Sequence, residues 1–470
     1  MTPRLAALLD DVEVAEVVGG DPSGVEVTGV TQDSGAVGDG TLYACIVGRH
    51  VDGHDLARSV VGSGARSLLV ERVVDVDVTQ VRVASTRRAV APVAAAFWGH
   101  PSRRLSVVGV TGTNGKTTTV DLLAAVLRAA GRPTGVIGTL TGARTTPEAA
   151  VLQGRLAAFA DEGYRAVAME VSSIALDQHR ADAIEFAAAV WTNLSQDHLD
   201  YHGDMEAYYR AKAALFSPPR CRLAVINIDD PWGRRLRDEV EVPVVTYALA
   251  EAEGLVLDAR HSRFRWRGQE VELPLGGRHN VANALAAATA AEALGVTPAC
   301  IAAGLGAAPP VPGRWEIVEG DQPFTVVVDY AHTPDGLTQV LDAARGVVGD
   351  GRVLVVFGCG GDRDRAKRPH MAAAATAAAD LTVLTSDNPR HEDPLEIIAQ
   401  ARAGATAGRA LLVEPDRRAA IAAALDRARP GDVVVIAGKG HETGQDLGDR
   451  VVPFDDREVA RRLLGERRPW

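Results

Sequence analysis

The chain has 470 residues, of which 46% are apolar and 24% charged, with a formal charge of −11. That length exceeds one ordinary hydrophobic core and calls for roughly two to four domains. The acidic balance excludes a coat for nucleic acid, and no apolar run reaches the ~18 residues that cross a bilayer. Cys45, Cys221, Cys300 and Cys359 are scattered without a C-x-x-C pair, which excludes a disulfide scaffold and a zinc knuckle and suits a reducing cytoplasm. The opening "MTPRLAALLDDVEVAEV" meets acidic residues too early for a signal peptide. An anionic substrate would need locally basic loops.

The rhythm is βα almost throughout. Short strand-like runs come first ("GVEVTGVTQDS", "ARSLLVER", "VTQVRVAS"), ending at the loop "GHPSRR". In "RLSVVGVTGTNGKTTTVDLLAAVLRAAGRP" an apolar strand then yields to a Gly/Thr turn and a helix of 3.6 period. Prolines break the pattern at "LGAAPPVPGRWEIV", after which a strand restarts. These breaks divide the chain into 1–103, 104–310 and 311–470. The fold class is α/β: a smaller N-terminal α/β domain, a central P-loop ATPase-like parallel sheet and a C-terminal Rossmann-like domain. The alanine-rich "MAAAATAAADL" is a good helix former, and no internal repeat is visible. In the last third, four apolar runs each finish in a polar loop: "FTVVVDYAHTPDG", "RVLVVFGCGGDRDRAKRP", "LTVLTSDNPRHEDP" and "DVVVIAGKGHETG". Parallel sheets place ligands at the carboxyl ends of their strands, so these loops are expected to cluster.

The turn at 112–118 departs from the Walker pattern G-x-x-x-x-G-K-[ST], because Val110 stands where its first glycine belongs. What a phosphate needs is backbone N–H groups at a helix N-terminus and a cation. Gly112, Thr113, Asn114 and Gly115 supply the turn, Lys116 the charge for the β- and γ-phosphates, and Thr117 or Thr118 a hydroxyl for Mg²⁺. A nucleotide site of shortened pattern is the reading.

The turn "GTNGKTT" resembles the ATP loop of the Mur ligases. The resemblance extends over more than three hundred residues, through "TTPE", "MEVSS", "TNLSQDHLDYHGDMEAYYRAKAALF", "NVANAL", "PGRWE", "VDYAHTPDGL", "GCGGDRDRAKRP", "SDNPRHEDP" and "AGKGHE", in order. It implies an ATP-dependent ligase of peptidoglycan precursor synthesis, on the branch that adds the third residue of the stem peptide. ATP would phosphorylate a D-glutamyl carboxylate of UDP-N-acetylmuramoyl-L-alanyl-D-glutamate; an amino acid's amine would attack the acyl phosphate, and phosphate would leave. Such chemistry asks for charge neutralisation at the γ-phosphoryl group more than for a protein nucleophile.

The resemblance also implies roles. Lys116, Glu170, His198 and Lys212 carry the chemistry, Lys212 as a carbamylated lysine, and Mg²⁺ is held by Thr117, Glu170, His198 and Lys212. Read without the family, His198 is an ordinary hydrogen-bonding histidine and Lys212 a solvated lysine on the helix "MEAYYRAKAALF". Asn283 and Asp329 lie by the adenosine and Arg314 on the phosphates, brought there by hinge closure. Ser34, Thr145, Thr146, Ser172, Gln178 and Arg180 receive the UDP-MurNAc-dipeptide, Arg180 forking onto a carboxylate. "DNPR" is similar to the form in members that use meso-diaminopimelate. Arg363 and Arg390 would take its distal carboxylate, and Asp387, Asn388, Pro389, Gly438 and Glu442 would complete the pocket, with Asn388, the Gly438 carbonyl and Glu442 receiving the ammonium.

Four positions depart from the family's usual residues: Gly35 for Arg, Ile174 for His, His279 for Phe and Ala181 for Val. The first touches the uridine-side contacts, and His279 touches the adenine pocket. The alternatives are a sister ligase taking L-lysine or another amino acid, a folylpolyglutamate synthetase, and a non-catalytic ATP-binding paralogue. The second fits poorly with the long segment before the phosphate loop. A cytoplasmic monomer, with no nucleic-acid partner and no membrane insertion, completes the expectation.

Overall fold

Alternation within the apolar runs decides the layers. In the computed structural model of the chain, which describes residues 2–48 and 51–466, strand Ser106–Thr111 sends Val108 and Val110 to one core and Val107 to another. Strand Ala166–Glu170 divides likewise, Ala166 and Ala168 against Val167 and Met169. A sheet buried on both faces has this continuous apolar character. Its order is Val244–Tyr247, Ala224–Asn227, Phe186–Trp191, Ser106–Thr111, Ala166–Glu170, Thr134–Ile137, with all neighbours parallel. Helices Lys116–Ala129, Arg278–Ala293 and Pro298–Gly306 cover the first face through Leu123, Leu285 and Ile301. Helices Ala149–Asp161 and Met205–Ala213 cover the second through Leu152, Leu156, Tyr208 and Tyr209. An antiparallel meander (Glu253–Leu257, Ser262–Trp266, Gln269–Leu273) joins the first core by Phe264 and Trp266.

Ahead of it stands a five-stranded sheet in the order Val14–Val18, Thr79–Val83, Ala65–Val70, Thr41–Ala44, Gly29–Thr31, antiparallel only at its first pair. Helix Thr86–Phe97, capped by Ser85, packs Val90 and Val93 with Leu42, Leu69 and Val81. Its strand Val14–Val18 escaped the sequence reading because none of its residues is fully buried, which leaves no clean apolar period.

The last sheet runs Glu316–Ile317, Thr325–Asp329, Val433–Ala437, Val353–Cys359, Leu381–Ser386, Leu411–Val413, antiparallel only at its first pair. The four apolar runs noted above are its four middle strands, so their polar continuations share one edge. Beneath that edge lies a fully buried ion pair. Arg417 Nε donates to Asp456 Oδ1 (2.8 Å) and Nη2 to Asp456 Oδ2 (2.7 Å), with both side chains at 0% exposure. The same guanidinium donates to Ala437 O (2.9 Å) and Ser386 O (3.3 Å), the last residues of two strands that flank Val353–Cys359. Among the described residues no helix is long and apolar enough to cross a membrane.

Candidate active site

The phosphate loop closes strand Ser106–Thr111 and opens helix Lys116–Ala129, with Gly115 as N-cap at φ 85°. A Cβ on Gly112 would overlap Thr192 Oγ1, and one on Gly115 would overlap Asn283 Oδ1. Both glycines are therefore required by space as well as by backbone. The loop after strand Phe186–Trp191 braces the turn. Thr113 Oγ1 donates to Ser195 O (3.1 Å), the Asn114 N–H to Asn193 Oδ1 (2.9 Å), and Thr192 Oγ1 to Asn114 O (2.6 Å). Lys116 Nζ folds back onto the turn, donating to Gly112 O (2.9 Å) and Thr113 O (2.8 Å). Burial pushes the pKa of Lys116 down, against the pull of Glu170 and Asp197.

Side chains of the last sheet reach across to this turn. Arg314, in the coil before strand Glu316–Ile317, donates from Nη2 to Thr117 Oγ1 (3.0 Å) while its guanidinium lies 4.3 Å from the Tyr330 ring centroid. Asp335 Oδ2 accepts from Asn114 Nδ2 (2.8 Å) and from Ser195 Oγ (3.0 Å). Lys367 Nζ donates to Asp197 Oδ1 (3.4 Å). Burial alone would raise the Asp197 carboxyl, but the charges of Lys367, His198, His332 and Lys116 outweigh it and hold the group well below the usual carboxylate range. Lys116, Lys212, Arg314 and Lys367 thus gather around Glu170 and Asp197. Such an excess of cations in a partly dry cleft is suited to a polyanion.

Glu170, the last residue of its strand, is 2% exposed; it accepts from the Thr139 N–H at Oε1 (2.8 Å) and from Thr139 Oγ1 at Oε2 (3.3 Å). His198 takes the left-handed conformation (φ 54°) with Nε2 3.3 Å from Asp197 Oδ2. Burial lowers its pKa, aided by Lys212 and Lys116 against Asp197, which favours the neutral ring with a free lone pair. Lys212 lies on helix Met205–Ala213 as expected, yet the solvated reading is wrong: it is 1% exposed and donates to Gly112 O at 2.7 Å. Its pKa falls well below the ordinary lysine value, through burial first and the Lys116 charge second. Among the described residues no three His, Cys, Asp or Glu side chains converge as a metal cage.

Other expected contacts are engaged within the protein. Asp329 accepts from the Trp315 N–H (2.7 Å) and the Ala331 N–H (2.8 Å), so it fastens the coil carrying Arg314 to its strand end. Asn283 lies under Gly115, its Oδ1 accepting from Thr119 Oγ1 (3.4 Å) and its Nδ2 donating to Asn280 Oδ1 (3.3 Å). His279 sits against Trp315 with ring centroids 5.8 Å apart. Thr146 is buried, donating to Glu170 O (3.0 Å) and accepting from the Ser172 N–H (3.1 Å). Thr145 meets Thr139 hydroxyl to hydroxyl at 3.0 Å, and Ser172 Oγ caps helix Ser173–Asp177. Arg180 pairs with Glu148 Oε1 (3.0 Å) and donates to Gln178 Oε1 (2.6 Å) and Thr146 O (3.2 Å), leaving its buried Nε without a partner. Ser34 is exposed in the short turn Ser34–Ala36, which holds Gly35 as well; Ile174 and the fully buried Ala181 lie near the Thr146–Arg180 group in sequence.

At the shared edge of the last sheet, Arg390 (φ 52°) donates to Gly361 O (2.7 Å) and faces Asp446 Oδ2 at 3.4 Å. Arg363 is exposed and donates to Asp362 O (2.9 Å). The two arginines meet over Gly360, where an added Cβ would lie 3.1 Å from Arg390 Nη1 and 3.9 Å from Arg363 Cγ. Asp387 and Asn388 are buried, Pro389 leads into Arg390, and Gly438 (φ +114°) leaves Asp387 Oδ2 only 2.5 Å from where a Cβ would stand. Asn388 Nδ2 donates to Glu442 Oε2 at 2.8 Å. Sequence reasoning passed over Asp197, Asp335, Lys367, Arg417 and Lys439, all of which look like solvated charges until the strands bring them together. The one usable signal was position: each stands within a few residues of a strand end or in a loop already singled out.

Family models match most of the chain: the Mur ligase family, catalytic domain at residues 26–104, the Mur ligase middle domain at 110–291, and the Mur ligase, glutamate ligase domain at 313–440. The UDP-N-acetylmuramoyl-L-alanyl-D-glutamate--2,6-diaminopimelate ligase of Geobacillus kaustophilus is 45% identical, covering 96% of each chain. The protein of that name from Streptomyces coelicolor is also 45% identical, over 98% of this chain and 96% of its own. A solved structure with the same title aligns over 99% of both chains at 32% identity, with a TM-score of 0.69.

Proposed function

Because the chain belongs to the Mur ligase family, we propose that it is an ATP-dependent ligase joining meso-diaminopimelate to UDP-N-acetylmuramoyl-L-alanyl-D-glutamate in the cytoplasm, as a step of cell-wall precursor synthesis. The division of labour follows the three units 1–103, 104–310 and 311–470. The observation that carries the reading is the convergence of two sheet edges. The phosphate turn with Lys116 belongs to one, and Arg314 and Lys367 arrive at the same cleft from the other.

Backbone N–H groups of 112–116 and the Lys116 ammonium would hold the ATP phosphates, once Lys116 leaves the two carbonyls it now meets. Arg314 would follow the negative charge that develops on the transferring phosphoryl group. The γ-phosphoryl group goes to the D-glutamyl carboxylate, the diaminopimelate amine attacks that carbon, and inorganic phosphate leaves with the carbonyl re-formed. Arg180, whose guanidinium already meets Glu148 and Gln178, would hold a substrate carboxylate in place in this reading. Ser34, Thr145, Ser172 and Gln178 line its approach in this reading, whereas Thr146 and Asp329 act through the backbone groups they fix. Arg363 and Arg390 would receive the distal carboxylate of diaminopimelate, which L-lysine lacks.

The residues suit Mg²⁺. This ion takes most of its ligands from phosphate and water, so a sparse set of Glu170, His198 and the Thr117 hydroxyl is sufficient where the described residues form no full cage. Lys212 would join them as a carbamate: burial favours its unprotonated amine, the form that combines with carbon dioxide. When bound, the ion would neutralise phosphate charge.

The test is phosphate release from ATP on adding the UDP-muramoyl dipeptide with each of several amino acids. Release with meso-diaminopimelate is expected; release with L-lysine in its place assigns the sister activity, and failure of every amino acid tested to give release refutes the ligase reading.

A further inference from the structure

Lys439 lies between two glycines that sequence reasoning tied to a ligand loop, and it was given no role. Strand Val433–Ala437 ends at Gly438 (φ +114°), and Gly440 (φ +53°) packs on Tyr330, so that the turn drives the side chain between them inward. The lysine is 0% exposed. An ammonium has three hydrogens, and all three find acceptors: Asn388 Oδ1 (3.0 Å), Glu442 Oε2 (2.8 Å) and Gly444 O (2.7 Å). One buried cation thus ties the loop after strand Leu381–Ser386, its own turn and the hairpin that starts at Gly444.

The consequence for the two neighbours is orientational. Asn388 Oδ1 accepts from Lys439 Nζ and also from the Asp446 N–H (3.0 Å), which fixes which end of the amide faces inward. Nδ2 is thereby directed onto Glu442 Oε2 at 2.8 Å. Glu442 Oε2 receives both Asn388 and Lys439, whereas Oε1 takes no hydrogen bond from any described residue, and the side chain is 30% exposed. A buried ammonium is costly in water-poor surroundings, and an apolar residue of equal volume would fill the space at less cost. What the ammonium adds is a single arrangement of its partners.

We propose that Lys439 is a positioning residue for the amino-acid substrate, holding Asn388 and Glu442 so that Glu442 Oε1 stands open to an incoming ammonium. The inference rests on the ligase reading above. It concerns affinity for one substrate out of three, and that separates the two experimentally.

The experiment measures phosphate release against meso-diaminopimelate concentration, and separately against ATP and the UDP-muramoyl dipeptide, for the wild type, Lys439→Met, Glu442→Gln and the double variant. Lys439→Met is expected to raise the KM for diaminopimelate about tenfold or more while the other two KM values stay within about twofold. In the Glu442→Gln background the same change is expected to cost less than about threefold, since the lysine acts through that carboxylate. Should Lys439→Met not fold, Lys439→Gln, whose amide cannot serve all three acceptors, is expected to raise the KM for diaminopimelate alone by a smaller factor of about threefold or more; if neither folds, the lysine belongs to the framework and the proposal is overturned. It is equally overturned if all three KM values move together, or if the two substitutions act independently. A wild type inactive with diaminopimelate would instead refute the diaminopimelate assignment above.

Discussion

Replacing Arg417 by Met separates what an internal ion pair contributes from what its neighbours require. The guanidinium and the Asp456 carboxylate have no solvent contact and meet in a bidentate fork of 2.7 and 2.8 Å. Removing the cation alone strands a carboxylate in the interior, a loss of about 3–5 kcal/mol. The start of helix Asp456–Gly465 offsets part of this, because a helix N-terminus favours a negative group by about 0.3–1 kcal/mol. Arg417→Met is therefore expected to cost about 3–4 kcal/mol in urea unfolding at neutral pH. Asp456→Asn keeps an acceptor for the fork and should cost about 2 kcal/mol. The double variant should cost less than the sum of the two by about 2 kcal/mol, since the second change removes the group the first left unpaired. Because Arg417 also holds Ser386 and Ala437, whose next residues are Asp387 and Gly438, the KM for the amino acid should rise more than that for ATP. Costs that simply add, or an Arg417→Met protein within about 1 kcal/mol of the wild type, would refute this account of the pair.

Three further outcomes are expected. Gly115→Ala meets both a left-handed backbone (φ +85°) and Asn283 Oδ1, so it should lose about 2–4 kcal/mol and most nucleotide affinity; Asn283→Ala in the same chain should recover only the steric part, which unfolding and nucleotide titration together measure. Lys212→Ala should abolish phosphate release, and Lys212→Glu or a small carboxylic acid added to the alanine variant should restore part of it; an unimpaired alanine variant removes this lysine from the chemistry. Asp121 shows a carboxyl raised to about 6, by burial first and the Glu170 charge second, against Arg128 and Arg314. Its protonated form is the one the fold favours, so its contribution is present at low pH and lost as pH rises from about 4 through about 6. Asp121→Asn should thus leave stability unchanged near pH 4 and raise it by about 1–2 kcal/mol at pH 7.5 without nucleotide or magnesium, after allowance for partial exposure; urea midpoints at the two pH values decide it.

The phosphate turn was legible because its requirements are contiguous: glycines where no Cβ fits, then Lys116 and Thr117 at a helix start after an apolar strand. The four strand-end loops were legible for a similar reason, since fully buried strands leave unbroken apolar runs. Burial of charge was not. Lys212, Lys439 and Arg417 are long cationic residues on helices or in turns, where composition favours solvent, and only the meeting of distant segments encloses them. Thr146 and Asp329 show a second limit: the resemblance marks them for ligands, and nothing in the sequence signals that the fold also ties them to backbone partners. Local pattern reports local backbone needs; it is silent on which polar atoms are already engaged.

The carboxylate of Asp335 grips Asn114 and Ser195 through a single oxygen, and that oxygen also accepts from Gln339 Nε2 (2.8 Å), one turn further along helix Pro334–Val347. If the two sheet edges part, both grips fail together, but Gln339 travels with the acid and keeps it company. This acid is thus never left alone by such a parting, whereas the buried Lys367 and Asp197, which face each other across the same cleft, would lose one another and set its cost.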